Sequence, residues 1–157
     1  MCDLAAIAGI MEEKRRLLCS IEDVTQEMIT CESIKLEELM TQREKLVTAL
    51  QKADTEMKEL CGDQEDGPAV MRASVCEGEA DRLSGPMQAI YQAGQQHRAI
   101  LSRLKESELQ AVLRLKQEQL EILEKIKSAN QGSAAKAARF FSVGSSGGWG
   151  GSRLGRA

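Results

Sequence analysis

Between Ser33 and Leu60 the chain reads SIKLEELMTQREKLVTALQKADTEMKEL. Apolar side chains fall at Leu36, Leu39, Leu46, Leu50, Ala53, Met57 and Leu60, with Arg43 in the one polar gap. The spacing alternates between three and four residues, on a segment without Gly or Pro and rich in strong helix formers. It predicts an amphipathic helix whose narrow seam must be buried against another helix. Residues 4–31 show the same alternation through Ile7, Ile10, Leu17, Ile21, Val24, Met28 and Cys31, with Lys14 in the gap. Extrapolated one step, that seam reaches Lys35, whereas the next one starts at Leu36. The register therefore slips by one residue around 31–35. A long helix with a local change of winding explains the slip. So does a break, with Ser33 capping a new helix. The absence of Gly and Pro around the slip favours one helix over about 4–61, roughly 85 Å long at about 1.5 Å per residue.

Gly62 is placed to end that helix, and GDQEDGP (62–68) reads as a turn-rich loop. Val70, Met71, Val75 and Cys76 predict a short helix before Gly78, and Gly85-Pro86 opens the next. Over 87–127, one face carries Ile90, His97, Leu101, Leu104, Val112, Leu115, Ile122 and Ile126, broadened by Leu109, Leu113, Leu120 and Leu123. That face is wider than a two-stranded seam requires. Gly94 interrupts the helix at a cost of about 1 kcal/mol relative to Ala. Beyond Lys127 the chain turns Ala-rich, then Gly- and Ser-rich, with Phe140-Phe141, Trp149 and Leu154 as its large apolar residues. The expected architecture is all-α: an elongated antiparallel helical bundle or coiled coil. It has two long helices, a short intervening helix (62–86) and a flexible, disordered tail (128–157), helical at most at its start. Residues 1–127 form a single domain in this reading.

Composition narrows the function. The chain has 157 residues with one Trp, one Tyr and two Phe, so its core is Leu, Ile, Met, Val and Ala. Net charge is −3, distributed as −5 over 1–61, −4 over 62–86, +2 over 87–127 and +4 over 128–157. An acidic first half would favour antiparallel packing on a mildly basic second half. No stretch is basic enough to make nucleic acid the main partner. The five cysteines are widely spaced, without a CxxC, and read as reduced thiols of a cytoplasmic protein. His97 is the only imidazole, so no metal or cofactor is expected. The short apolar run LAAIAGIM lacks the flanks of a signal peptide and the length of a membrane span. No P-loop, GxGxxG, GxSxG or HExxH occurs, which argues against an enzyme.

Two parts of the chain resemble a known family. In IEDVTQEMITCESIKLEELMTQREKLVTALQ (21–51), Ser33, Leu36, Leu39, Arg43, Glu44, Leu46 and Leu50 are similar to the first-helix motif of flagellar export chaperones of the FlgN and FliT type. In that motif a small or acidic position precedes L-x-x-L, a charged pair and two further Leu. Met40 keeps the apolar character expected beside the L-x-x-L. The ending ARFFSVGSSGGWGGSRLGRA looks like FlgN-type tails, and the basic, Ala-rich run before Phe140 is similar to FliT-type proteins. The chain departs from FlgN proteins in lacking an N-x-x-N stretch; Asn130 stands alone. The resemblance, somewhat nearer FlgN, implies a cytoplasmic chaperone of hook-associated (junction or cap) proteins. It would prevent their premature assembly before type III export, with the export apparatus as a further partner. The amphipathic C-terminal helix of the client would dock on Leu101, Leu104, Val112, Leu115, Ile122 and Ile126. Without that resemblance, the pattern fits a self-associating coiled-coil scaffold or adaptor with no export client, such as a homodimer.

Overall fold

The structure, a computed structural model, describes residues 1–145, with side chains through Phe141. It contains α1 (Leu4–Thr30), α2 (Ser33–Gly62), α3 (Gly67–Ser74) and α4 (Gly85–Ser145), with one 3-10 turn at Ala80–Arg82. No strand occurs among the described residues. The chain divides into two compact units, Met1–Arg114 and Leu115–Ala157. The boundary falls inside α4, thirteen residues ahead of the composition change after Lys127.

The expected helix over 4–61 is two helices. Cys31 (φ −67°, ψ 163°) and Glu32 (φ −66°, ψ 144°) are extended, and Ser33 is the first residue of α2, with Glu32 at the cap position. The one-residue slip explains why. In a continuous helix, a one-residue slip would turn the second seam about 100° from the first. A two-residue reversal lets both seams face inward, at the cost of a few terminal hydrogen bonds. Arg114 recovers part of that cost, donating from Nη1 to the carbonyls of Met28 (3.2 Å) and Ile29 (2.9 Å). At the other end of α1, Asp3 accepts from the amides of Ala5 and Ala6 at 3.1 and 3.0 Å.

The first unit is a bundle of three long elements instead of two. Lys14 pairs with Asp54 at 2.6 Å, and Thr25 accepts from Arg43 Nε at 3.1 Å, so α1 and α2 run antiparallel. His97 meets Met11, Arg103 meets Glu22 and Arg114 meets Ile29, so α4 runs parallel to α1. The Arg43–Glu108 ion pair joins α2 to α4. The two polar gaps in the seams, Lys14 and Arg43, are thus positions where an interhelical ion pair replaces an apolar contact. The acidic first half finds a basic partner on α4 in Arg103, which holds Glu22 in a bidentate contact at 2.7 and 3.0 Å.

The buried positions of α1 are Ile7, Met11, Leu18, Ile21, Val24, Thr25 and Met28. Met11 and Leu18 replace the expected Ile10 and Leu17, which are half-buried. A helix packed on two neighbours buries a wider stripe than a two-stranded seam. Thr25 is tolerated there because its hydroxyl donates to the Ile21 carbonyl at 2.7 Å while accepting from Arg43. The main core joins Ile7, Met11, Met57, Cys61, Val70 and Ile90, tying α3 and the start of α4 to the α1–α2 hairpin.

Gly62 is the last residue of α2, and the cap role falls to Asp63 (φ −100°, ψ 7°). The glycines with steric roles are Gly67 and Gly94. A Cβ on Gly67 would stand 1.9 Å from the Cys61 carbonyl oxygen, and one on Gly94 would stand 2.4 Å from that of Ser74. Gly94 is therefore where α3 rests against the backbone of α4. It leads directly to Cys76, held at φ 61° with its thiol 3.6 Å from the Tyr91 carbonyl.

The second unit is helical from Leu115 to Ser145, well past Lys127. Its side chains over 128–141 are all exposed, so intrinsic propensity holds this stretch: it is Ala-rich with Gly132 as the single weak point. The remainder of the expected tail, with Trp149 and Leu154, lies outside the described residues.

Candidate partner-binding surface

The six residues expected to hold a partner do not share one environment. In the first unit, Leu104 is 6 % exposed and belongs to the bundle interior with Ile100 and Ala111. It cannot meet a partner while the bundle is intact. The α4 stripe that faces α1 and α2 runs through Ile90, His97, Ile100, Leu104, Ser107 and Ala111. The sequence pattern merged this stripe with its neighbour because a three-four alternation fits both. Leu101 and Val112 lie outside it and are exposed, as are Leu109 and Leu113.

In the second unit Leu115 is half-buried, and Ile122 and Ile126 are exposed. Leu120 (64 % exposed) and Leu123 stand beside them. Leu120 and Leu123 are three residues apart on one row; Leu115, Ile122 and Ile126 form an adjacent row. The two rows make an apolar face wide enough for more than one helical neighbour. Phe140 and Phe141, further along α4, are also exposed, in an edge-to-face pair with centroids 6.2 Å apart.

Leu101 helps line a cavity of about 370 Å³ in the first unit, together with Leu18, Leu50, Val75, Lys14, Asp54 and His97 among others. His97 is buried, and its Nε2–H donates to the Met11 carbonyl at 2.7 Å, which fixes the tautomer. Burial, more than any neighbour, pushes its pKa below the ordinary value; Lys14 and Arg15 push the same way, while the Met11 contact and Asp54 oppose them. A neutral imidazole that spends its proton on a main-chain carbonyl is a packing group.

Other groups are shifted by their own contacts. The Cys2 thiol is pushed up to about 12, first by burial and then by Asp66 and Cys61. The Cys2 amide donates to Asp66 Oδ1 at 2.8 Å, which holds that carboxyl below its usual range. Arg15 holds Glu12 down to about 2, and Arg103 lowers Glu22. All five cysteines are free thiols. Among the described residues, no group of three or more His, Cys, Asp or Glu side chains is arranged to hold a metal ion, and no helix is long and apolar enough to cross a membrane.

No family model, curated protein or solved structure matches this chain. The first unit is a helical bundle, and α4 carries exposed apolar side chains beyond it.

Proposed function

We propose that this protein is a cytoplasmic export chaperone that holds an amphipathic helix of its client on the exposed apolar face of α4. The observation that carries this reading is the exposure of Leu120, Ile122, Leu123 and Ile126, four large aliphatic side chains within seven residues of one helix. A single exposed Leu is ordinary, whereas such a cluster marks an interaction surface. Helix-on-helix docking suits it: the face is apolar across two adjacent rows and repeats at helical spacing. Burying it at about 25 cal/mol per Å² offsets the ordering of a client helix sufficiently for micromolar binding.

The class of client comes from the resemblance to FlgN- and FliT-type chaperones, carried by Ser33, Leu36, Leu39, Arg43, Glu44, Leu46 and Leu50. On that reading the clients are hook-associated flagellar proteins, bound through their C-terminal helices before type III export. Of the six residues expected from the sequence this cluster keeps Ile122 and Ile126 and adds Leu120 and Leu123, while Leu104 lies in the bundle interior. The test is titration of a synthetic C-terminal helix from a hook-associated protein of the same organism into the full chain and into Ile122→Glu and Leu123→Glu. Binding by the wild type, with at least ten-fold loss in variants of unchanged helicity, supports the reading. Folded variants that bind as tightly as the wild type would place the client elsewhere.

A further inference from the structure

Phe140 and Phe141 are exposed in the second unit, far along the helix from Ile122, Leu123 and Ile126 and yet on the same side of it. Eighteen residues make five turns at about 3.6 residues per turn, so Phe140 stands on the row of Ile122 and Phe141 on that of Leu123. Ile126 lies between those rows. All the large apolar side chains of 122–141 thus fall within an arc of about 100° that runs about 27 Å along the helix. Every side chain in it is exposed. Charge is arranged around this arc. Residues 125–141 hold Lys125, Lys127, Lys136 and Arg139 and no acid. Lys125 and Lys136 flank the arc on one side and Lys127 on the other, each about 90–110° from its centre. Glu121 and Glu124 lie on the opposite side of the helix, more than about 140° away.

We propose that residues 122–141 form an interfacial helix that lies on an anionic lipid bilayer, with the apolar arc at the acyl boundary and the flanking lysines at the headgroups. Such a helix binds through its buried apolar area together with attraction to acidic lipid. The three lysines sit where their stems follow the apolar surface while the ammonium groups reach the phosphates. The carboxylates, which the same surface repels, face water. The middle of the arc favours a bilayer over a protein helix. It carries Asn130 and Ser133 between Ala129 and Ala137, and the dry seam of a helix pair would bury those polar groups. At the headgroup boundary, water and phosphate stay within their reach. The helix lies on the bilayer and does not cross it, because no helix among the described residues is long and apolar enough to span one. This inference needs no export client. Ile122, Leu123 and Ile126 serve both surfaces, so a client helix and the bilayer would exclude each other there.

The test is flotation of the full chain, without any client, on vesicles of phosphatidylglycerol and phosphatidylcholine in about equal parts at low salt. The wild type is expected to float with these vesicles and to stay behind with phosphatidylcholine alone. Phe140→Ala/Phe141→Ala keeps the charge and the helix propensity, and is expected to weaken binding about ten-fold or more. Lys125→Gln/Lys127→Gln/Lys136→Gln is expected to do the same. The matched variant Lys45→Gln/Lys52→Gln/Lys58→Gln, on exposed positions of α2, is expected to bind as the wild type does. Binding that ignores the phenylalanines, that is as strong on neutral vesicles, or that falls equally with the α2 lysines would overturn the proposal. A wild type of full helicity that does not float would overturn it too, and would leave the arc to a protein partner.

Discussion

Arg114 reaches from α4 to the carbonyl of Ile29 at the end of α1, 2.9 Å from Nη1, and the same nitrogen also serves Met28. Helices commonly end on a glycine that turns the chain and satisfies the last carbonyls. Here no glycine is present, Cys31 is extended, and a cation from another helix supplies the donors. The reversal between α1 and α2 is therefore secured by tertiary contact. Arg114→Ala is expected to lower stability by about 1–2 kcal/mol, with Arg114→Lys recovering part of it. Urea unfolding followed by helicity measures both; equal stability of the alanine variant would show that water serves those carbonyls as well.

Leu104 and Leu123 look alike in the sequence and differ in the fold. Leu104→Ala should cost about 2–5 kcal/mol, the range for a large aliphatic side chain removed from a packed interior. Leu123→Ala should stay within about 0.5 kcal/mol in a monomeric sample, because its side chain is exposed. Thermal unfolding of the two variants side by side decides this. Equal losses would contradict the placement of Leu104 in the interior.

Glycines in helices provide a second contrast. A Cβ added at Gly9 would meet nothing within 4 Å, so Gly9→Ala should stabilise the protein by about 0.5–1 kcal/mol through helix propensity. Gly94→Ala gains the same propensity but drives a methyl group to 2.4 Å from the Ser74 carbonyl oxygen. It should destabilise on balance, because main chain must shift. If Gly94→Ala also raises the melting temperature, α3 does not rest on α4 as described.

His97 makes stability fall on mild acidification. Its pKa is lowered in the folded state from an ordinary 6.5, so the unfolded chain takes up the proton first. The contribution is complete above about pH 6.5 and is lost as pH falls toward the folded-state value. Lys14 and Arg15 strengthen the effect, and Asp54 opposes it. The urea midpoint of the wild type should therefore drop more between pH 7.5 and 5.5 than that of His97→Gln, whose amide N–H can still donate to Met11. Glu12, Glu22 and Asp66 have lowered pKa values and act at lower pH, outside this window. Parallel pH profiles would rule out His97 as the source.

Much of the candidate surface was legible beforehand. Ile122, Ile126, Leu120 and Leu123 recur at helical spacing with no compensating pattern elsewhere, and their exposure follows from there being more apolar face than the bundle uses. Leu104 was not separable, since the same alternation serves a buried stripe and the exposed rows beside it. Thr25 could not be read as interior either. Its burial rests on a hydroxyl that donates to the Ile21 carbonyl and accepts from Arg43, eighteen residues away.

The sequence by itself determined the elements: long amphipathic helices, the short α3 between Gly62 and Gly78, and the start of α4 at Gly85-Pro86. Each rests on local causes, namely periodicity, propensity and turn residues. Only the tertiary structure decided that the first helix reverses at Cys31–Glu32, that α4 runs parallel to α1, and which heptad positions of α1 are buried. Those outcomes depend on partners far along the chain. Arg114 closes one helix end, Lys14 and Arg43 find carboxylates on other helices, and two neighbours widen the seam each helix must bury.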